Sequence, residues 1–172
     1  MPDDALEILF TEGQIRSRVA ALARQITVDY ANRQLVLVSI LRGSVFFATD
    51  LARQIDLPLS MDFLSISSYG EDSEGVVRIT KDLEENIAGK DVLVIEDIVD
   101  TGFTLKYLLR TLGGRNPKSL AVCTLLDRKA LRIIDMDLQY VGFEIPDKFV
   151  VGYGLDYRQH YRNLPYIGVL KP

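Results

Sequence analysis

Three uninterrupted apolar runs constrain this chain more than any other feature: QLVLVSIL at 34–41, VLVI at 92–95 and SLAVCTLL at 119–126. Each has strand length and lacks the in–out alternation of a half-exposed strand, as expected of strands covered on both faces. Helical patterns lie between them. Ile15, Val19, Leu22 and Ile26 recur on one face of a helix expected over Thr11 to Ile26, where Thr11 and Gln14 fit a capping box. Val45 to Ile55 reads as a second helix, and Thr104 to Leu112 as a third, stopped by Gly113-Gly114. Leu59 to Ser67 is a further strand, Val76 to Thr80 forms a ribbon with what precedes it, and Tyr140 to Phe143 and Lys148 to Gly152 are short strands near the end. Strands alternating with helices across short loops indicate an α/β domain with a mainly parallel, twisted sheet flanked by helices.

At 172 residues one domain is expected, spanning 1–172. The net charge of −4 gives no overall basic footprint for a nucleic-acid partner. No apolar run approaches the roughly 20 residues that span a bilayer, and MPDDALEILF carries acids where a secretion signal is basic. Cys123 is the only cysteine, so no intrachain disulfide forms, which suits a reducing compartment. The expectation is a cytoplasmic protein without membrane or nucleic-acid partners. His160 is the only histidine and is read as a surface or packing residue, which leaves little material for His-based zinc sites or a Ser-His-Asp triad.

Ligands of open parallel sheets bind beyond the carboxyl ends of the strands. Three turns sit there: Leu41 to Ser44, Glu96 to Thr104 and Asp127 to Lys129. The P-loop and dinucleotide glycine patterns are absent: Val76 follows Gly75 where the first needs Lys, and Tyr157 stands where the second needs Gly. Asp135 and Asp137 do not make a calcium loop, because Tyr140 takes the glycine position. EDIVDTGFT is a different phosphate cradle, joining a strand expected to end near Ile95 to a helix. Backbone amides at such a junction carry partial positive charge. Gly102 permits close approach, Thr101 and Thr104 offer hydroxyls, and Glu96 and Asp97 are acceptors suited to vicinal sugar hydroxyls. A ribose carrying a 5-phosphate satisfies both ends.

VLVIEDIVDTGFTL at 92–105 resembles the phosphoribosyl-pyrophosphate motif of the type I phosphoribosyltransferases, and more narrowly their 6-oxopurine branch. LRGS at 41–44 resembles the family's pyrophosphate loop, SSYG at 67–70 the start of its mobile catalytic loop, and VGFEIPDKFVVGYGLDYRQHYRNLPYIG at 141–168 its purine-binding hood. The resemblance implies the type I phosphoribosyltransferase fold, with a small hood from the chain ends, mainly about 127–172, and a mobile loop. It implies transfer of the phosphoribosyl group from phosphoribosyl pyrophosphate to hypoxanthine and guanine with Mg2+, in a homodimer or homotetramer.

The same resemblance distributes the roles. Glu96 and Asp97 engage the ribose hydroxyls, and Asp100, Thr101, Gly102, Phe103 and Thr104 belong to the ribose-phosphate stretch. Leu41, Arg42 and Gly43 hold pyrophosphate, with Arg162 as a further contact and a non-proline cis bond between Leu41 and Arg42. Ser68 and Tyr69 begin the lid. Phe149 stacks on the purine, backbone groups of Val150 and Asp156 read its edge, and Asp156 holds a metal-bound water, with Glu96 and Asp97 as further metal-side carboxylates. Asp100 faces ring nitrogen 7 and handles its proton; the surrounding carboxylates are expected to raise its pKa by repulsion. The donor to the 6-oxo group departs from the family: LLDRK puts Arg128 where Lys is common, and Phe103 also stands where Lys is frequent. Two alternatives stay open, a related transferase for another base, xanthine foremost, and a non-catalytic RNA-binding regulator of the same fold.

Overall fold

The computed structural model describes residues 6–69 and 76–170. Along the chain run β1 (Leu6–Phe10), α1 (Glu12–Asp29), β2 (Leu35–Leu41), α2 (Val45–Gln54), β3 (Leu59–Tyr69), β4 (Val76–Lys81), β5 (Asp91–Val99), α3 (Phe103–Gly113), β6 (Ser119–Asp127), β7 (Tyr140–Glu144), β8 (Val150–Val151) and β9 (Ile167–Leu170). Six strands form one sheet in the order β4-β3-β2-β5-β6-β7. All neighbours in it are parallel except β4, which returns antiparallel along β3. β1, β9 and β8 make a second, three-stranded antiparallel sheet.

The uniform apolar runs are explained by helices on both faces. Leu35, Leu37, Leu93, Ile95 and Cys123 pack with Ile15, Val19 and Leu22 of α1 and with Phe47 and Leu51 of α2. The alternate residues Val36, Val38, Val92, Val94 and Val122 pack with Leu105, Leu108 and Leu112 of α3. Side chains of a strand alternate between faces, so a strand sandwiched this way must be apolar at nearly every position. α1 begins with the expected box: Thr11 Oγ1 accepts from the Gln14 amide, and the Gln14 side chain accepts from the Thr11 amide. Among the described residues no helix is long and apolar enough to cross a membrane.

Two features depart from the sequence reading. β5 does not stop near Ile95 but continues to Val99, pairing with β6 as far as Asp127. The acids therefore lie inside a strand, where Ile98 and Val99 carry the apolar pattern past them. The second sheet brings in β1 and β9, which the periodicity left unassigned. Of the stretch from 127 onward, β7 joins the large sheet, while β8 and β9 join β1 beside it. Phe10 of β1 stacks on Phe143 of β7, with ring centroids 4.1 Å apart, so the small sheet adjoins the large one.

Candidate active site

The site sits at the carboxyl ends of β2, β5 and β6. After β2 the chain turns through Leu41–Ser44 with a cis peptide between Leu41 and Arg42. A buried hydroxyl pair lies beneath this turn: Ser39 Oγ and Ser44 Oγ are 2.7 Å apart, and Ser44 Oγ donates to the Ile40 carbonyl at 2.7 Å. Gly43 lies directly against the Asp97 carboxylate, so a Cβ there would overlap Oδ2. The glycine thus allows the turn after β2 to meet the acid on β5.

Strict alternation breaks across Glu96-Asp97. Leu93, Ile95 and Ile98 pack on the α1 and α2 side, whereas Val92, Val94 and Val99 pack on the α3 side. This irregularity is how two consecutive acids come to line one cavity. Burial pushes the pKa of Glu96 well above the carboxylate range, and the neighbouring Asp97 adds to it. Burial likewise raises Asp97 to about 6, against the lowering effects of the Ile98 amide and of Arg162. Two carboxyls withdrawn from water need a partner for the charge they carry when ionised.

The chain then passes through Asp100, Thr101 and Gly102 into α3. Gly102 caps the helix with φ of 90°, and a Cβ there would come within 2.9 Å of Met136 Cε. The first amides of α3 have no intrahelical acceptor. Thr101, Gly102 and Thr104 line the cavity beside this helix start. The Phe103 side chain is a correction: the residue is 38% exposed and lines neither of the two cavities at this site, so only its backbone amide, the first of α3, can serve the turn. Successive helical residues are turned by about 100°, which carries its side chain away from that of Thr104.

Two cavities adjoin here. One, of about 360 Å3, is walled by Leu41, Arg42 and Gly43, by Glu96 and Asp97, by the Asp100–Thr104 turn, and by Asp156 and Arg162. The other, of about 240 Å3, is lined by Arg128, Phe149, Val150 and Leu155 and shares Asp97, Ile98, Asp100 and Asp156 with the first. Asp100 stands at their junction. Its pKa is raised, chiefly by burial, while Arg128 pulls it down and Asp147 pushes it up. The direction matches the expectation, but burial is its largest cause, with repulsion between Asp97 and Asp100 a lesser effect. Asp100 Oδ1 is buried without a hydrogen-bond partner, with Arg128 Nε 3.4 Å away.

Arg128 is not a free donor. Its Nη2 donates to the Lys148 carbonyl at 2.9 Å. Phe149 is half exposed at 51%, with the Tyr157 ring 5.8 Å away and nearly perpendicular to it. Asp156 pairs with Arg162 at 2.7 Å and accepts from the Gln159 amide at 2.8 Å. Gln159 Oε1 receives hydrogen bonds from both Arg42 and Arg162, at 3.0 and 3.2 Å. The sequence reading missed Gln159, as it missed Arg132, which is hydrogen-bonded to the carbonyls of Val99 and Asp100. Neither residue carries a sequence signal, since the contacts that tie them to the site, Gln159 to Arg42 and Arg132 to the Val99 and Asp100 carbonyls, join residues distant in the chain. The backbones of Ser68 and Tyr69 pair with Val77 and Val76 at the open end of β3, and the rest of the expected lid, 70–75, lies outside the described residues. His160 is exposed, as expected.

Residues 6–158 match the family model described as a phosphoribosyl transferase domain. The hypoxanthine-guanine phosphoribosyltransferase of Mycobacterium avium is 50% identical over 99% of this chain and 88% of its own length. The hypoxanthine phosphoribosyltransferase of Salmonella typhimurium is 50% identical over 95% of this chain and 94% of its own. A crystal structure of a hypoxanthine phosphoribosyltransferase from Staphylococcus aureus superposes with a TM-score of 0.95 at 50% identity, covering 99% of this chain and 94% of that one. Junction cradle, paired acids and near-complete similarity agree, and the chain belongs to the phosphoribosyltransferase family, in its hypoxanthine-guanine branch.

Proposed function

We propose that this chain is a purine-salvage transferase. It moves the 5-phosphoribosyl group from phosphoribosyl pyrophosphate to hypoxanthine and guanine, giving IMP, GMP and pyrophosphate. The observation that carries the reading is the pair of adjoining cavities meeting at Asp100. One offers amides, hydroxyls and buried acids to a phosphorylated ribose; the other offers an aromatic face and a cation to a base.

The roles follow from the chemistry. Pyrophosphate departs from the anomeric carbon and positive charge builds on the sugar, as in glycoside chemistry. Glu96 and Asp97 hold the ribose hydroxyls and place negative charge beside the ring. The Asp100–Thr104 turn binds the 5-phosphate through amides and hydroxyls. Leu41, Arg42, Gly43 and Arg162 receive pyrophosphate, for which the guanidiniums exchange the neutral Gln159 oxygen for an anionic one. The purine lies on Phe149, read at its edge by Val150 and Asp156. Asp100 takes the proton from ring nitrogen 7 as the new bond forms. Ser68 and Tyr69 close over the site and shut out water, a competing nucleophile. The chain works as one domain with its hood, in the cytoplasm, as a homodimer or homotetramer.

The donor set fits Mg2+. This ion is held through one or two carboxylates, substrate phosphates and several waters rather than by a full protein cage. Among the described residues there is no cluster of three or more protein ligands, but Glu96, Asp97 and Asp156 face the cavity that takes the phosphates. Those carboxylates would hold the ion directly or through water, and bound Mg2+ supplies charge neutralisation to the leaving pyrophosphate.

A panel of hypoxanthine, guanine, xanthine, adenine and uracil, with phosphoribosyl pyrophosphate and Mg2+, tests the reading by ultraviolet detection of nucleotide. Hypoxanthine and guanine are consumed; turnover of adenine alone, or of no base, overturns it. Arg128 supplies the donor to the 6-oxo group once it leaves the Lys148 carbonyl. Arg128→Ala raises the KM for hypoxanthine by about 10–100-fold, the scale of one charge-assisted hydrogen bond. Adenine, measured as a competing ligand, is little affected. Equal losses for both bases would remove Arg128 from this role.

A further inference from the structure

We propose that Arg132 is the positioning residue of the phosphate cradle: it anchors the carbonyls of the Val99–Asp100 turn so that the amides that follow face the ligand. The inference rests on the phosphoribosyl reading of that turn and adds a device that makes it work. Arg132 Nε donates to the Asp100 carbonyl at 2.8 Å, and Nη2 donates to the Val99 carbonyl at 3.2 Å and to the Asp127 carboxylate. Both side chains of that ion pair are nearly buried, at 13% and 12% exposed. Neighbouring backbone completes the pattern. The Arg128 amide donates to the Val99 carbonyl, and the amides of Ile133 and Ile134 both donate to the Thr101 carbonyl, each at 3.0 Å.

Every carbonyl from Val99 to Thr101 is thereby drawn toward segment 128–134. In a planar trans peptide the carbonyl and the next N–H point in opposite directions. The amides of Asp100, Thr101 and Gly102 are consequently turned away from that segment, and among the described residues none of the three has a protein acceptor. Their residues line the 360 Å3 cavity. A donor set fixed before the ligand arrives needs no reorganisation on binding. The guanidinium suits this task because its planar fork reaches three acceptors at once, which a lysine ammonium on a flexible stem does not reproduce. Asp127 orients the fork from the far side, at the end of β6.

The test is the preference for a nucleoside 5-monophosphate over its nucleoside. IMP and inosine are titrated against the native protein and against Arg132→Gln, Arg132→Lys and Asp127→Asn by calorimetry, below the melting temperature of each variant. The native protein prefers IMP. Arg132→Gln cuts the IMP-to-inosine affinity ratio by about tenfold or more, the scale of a charge-assisted hydrogen bond, and leaves inosine affinity nearly unchanged. Arg132→Lys recovers part of the ratio, and Asp127→Asn lowers it less than Arg132→Gln does. Loss of stability alone would reduce both affinities together or neither, and an unchanged ratio in the variants overturns the proposal. If Arg132→Gln does not fold, the other two variants decide by the same criterion. A native protein without preference for IMP would instead overturn the phosphate-cradle reading itself, and the inference with it.

Discussion

Asp100→Asn lowers turnover by about 10²–10⁴-fold, the range that a positioned general acid or base supplies. The KM for phosphoribosyl pyrophosphate changes by no more than a few-fold. The reason lies in how this carboxylate is held. It stands where the two cavities meet, its Oδ1 is buried and unpartnered, and burial raises its pKa. A carboxylate partly withdrawn from water holds a proton more readily, which favours acceptance from a purine nitrogen. Asparagine keeps the size and polarity but cannot accept that proton. The turn carrying it is fixed through backbone carbonyls, so the cradle survives the substitution. Steady-state kinetics with each substrate varied in turn separates the two effects. Turnover within a factor of about three of native would take the base role from Asp100.

Asp97→Asn raises the melting temperature of the ligand-free protein near pH 7 while abolishing most of its activity. Asp97 is held at a pKa of about 6 by burial, and Glu96 beside it is raised further. A carboxyl with a raised pKa binds more protons folded than unfolded, so its contribution to stability is full below the unfolded pKa and is lost as pH rises through the folded one. For Asp97 that window runs from the ordinary value of 3.8 to about 6. The shift corresponds to a cost on the order of 3 kcal/mol when the site is empty and ionised. At roughly 2–4 °C per kcal/mol for a chain of this size, the variant gains several degrees at pH 7, and the gap closes toward pH 4. Asp82 is shifted the opposite way by its hydrogen bond with Arg115, so its window lies below that range and does not mask the trend. Thermal melts of both proteins from pH 4 to 7.5 measure this. A gap independent of pH would show that the carboxyl is not under the strain that burial imposes. The two buried acids are therefore a stability cost of the empty site, which their proposed role at the sugar accounts for.

How far the sequence reached can be followed along β5. VLVI announced a strand covered on both faces, and GFTL a helix behind it, because period and composition are local properties of the chain. The acids between them were legible as a ligand site, since charge at that point has no structural use. That the strand runs on to Val99 was not legible, because its continuation depends on pairing with β6, whose last partner, Asp127, is 28 residues away. The capping box of α1 was readable from Thr11 and Gln14 alone. β1 and β9 were not, because LEILF and IGVL become strands only by pairing with each other across nearly the whole chain.

By itself the sequence determined the layered α/β architecture, the strand-to-helix junction proposed to hold a phosphate and the residue types around it, since all three follow from short-range pattern. Only the tertiary structure decided that Asp97 closes on Gly43, that Arg128 is committed to Lys148 and Asp100, that burial more than repulsion raises the proton affinity of Asp100, and that Arg132 and Gln159 belong to the site. These are matters of distance and desolvation between residues far apart in the chain, and no local pattern encodes them.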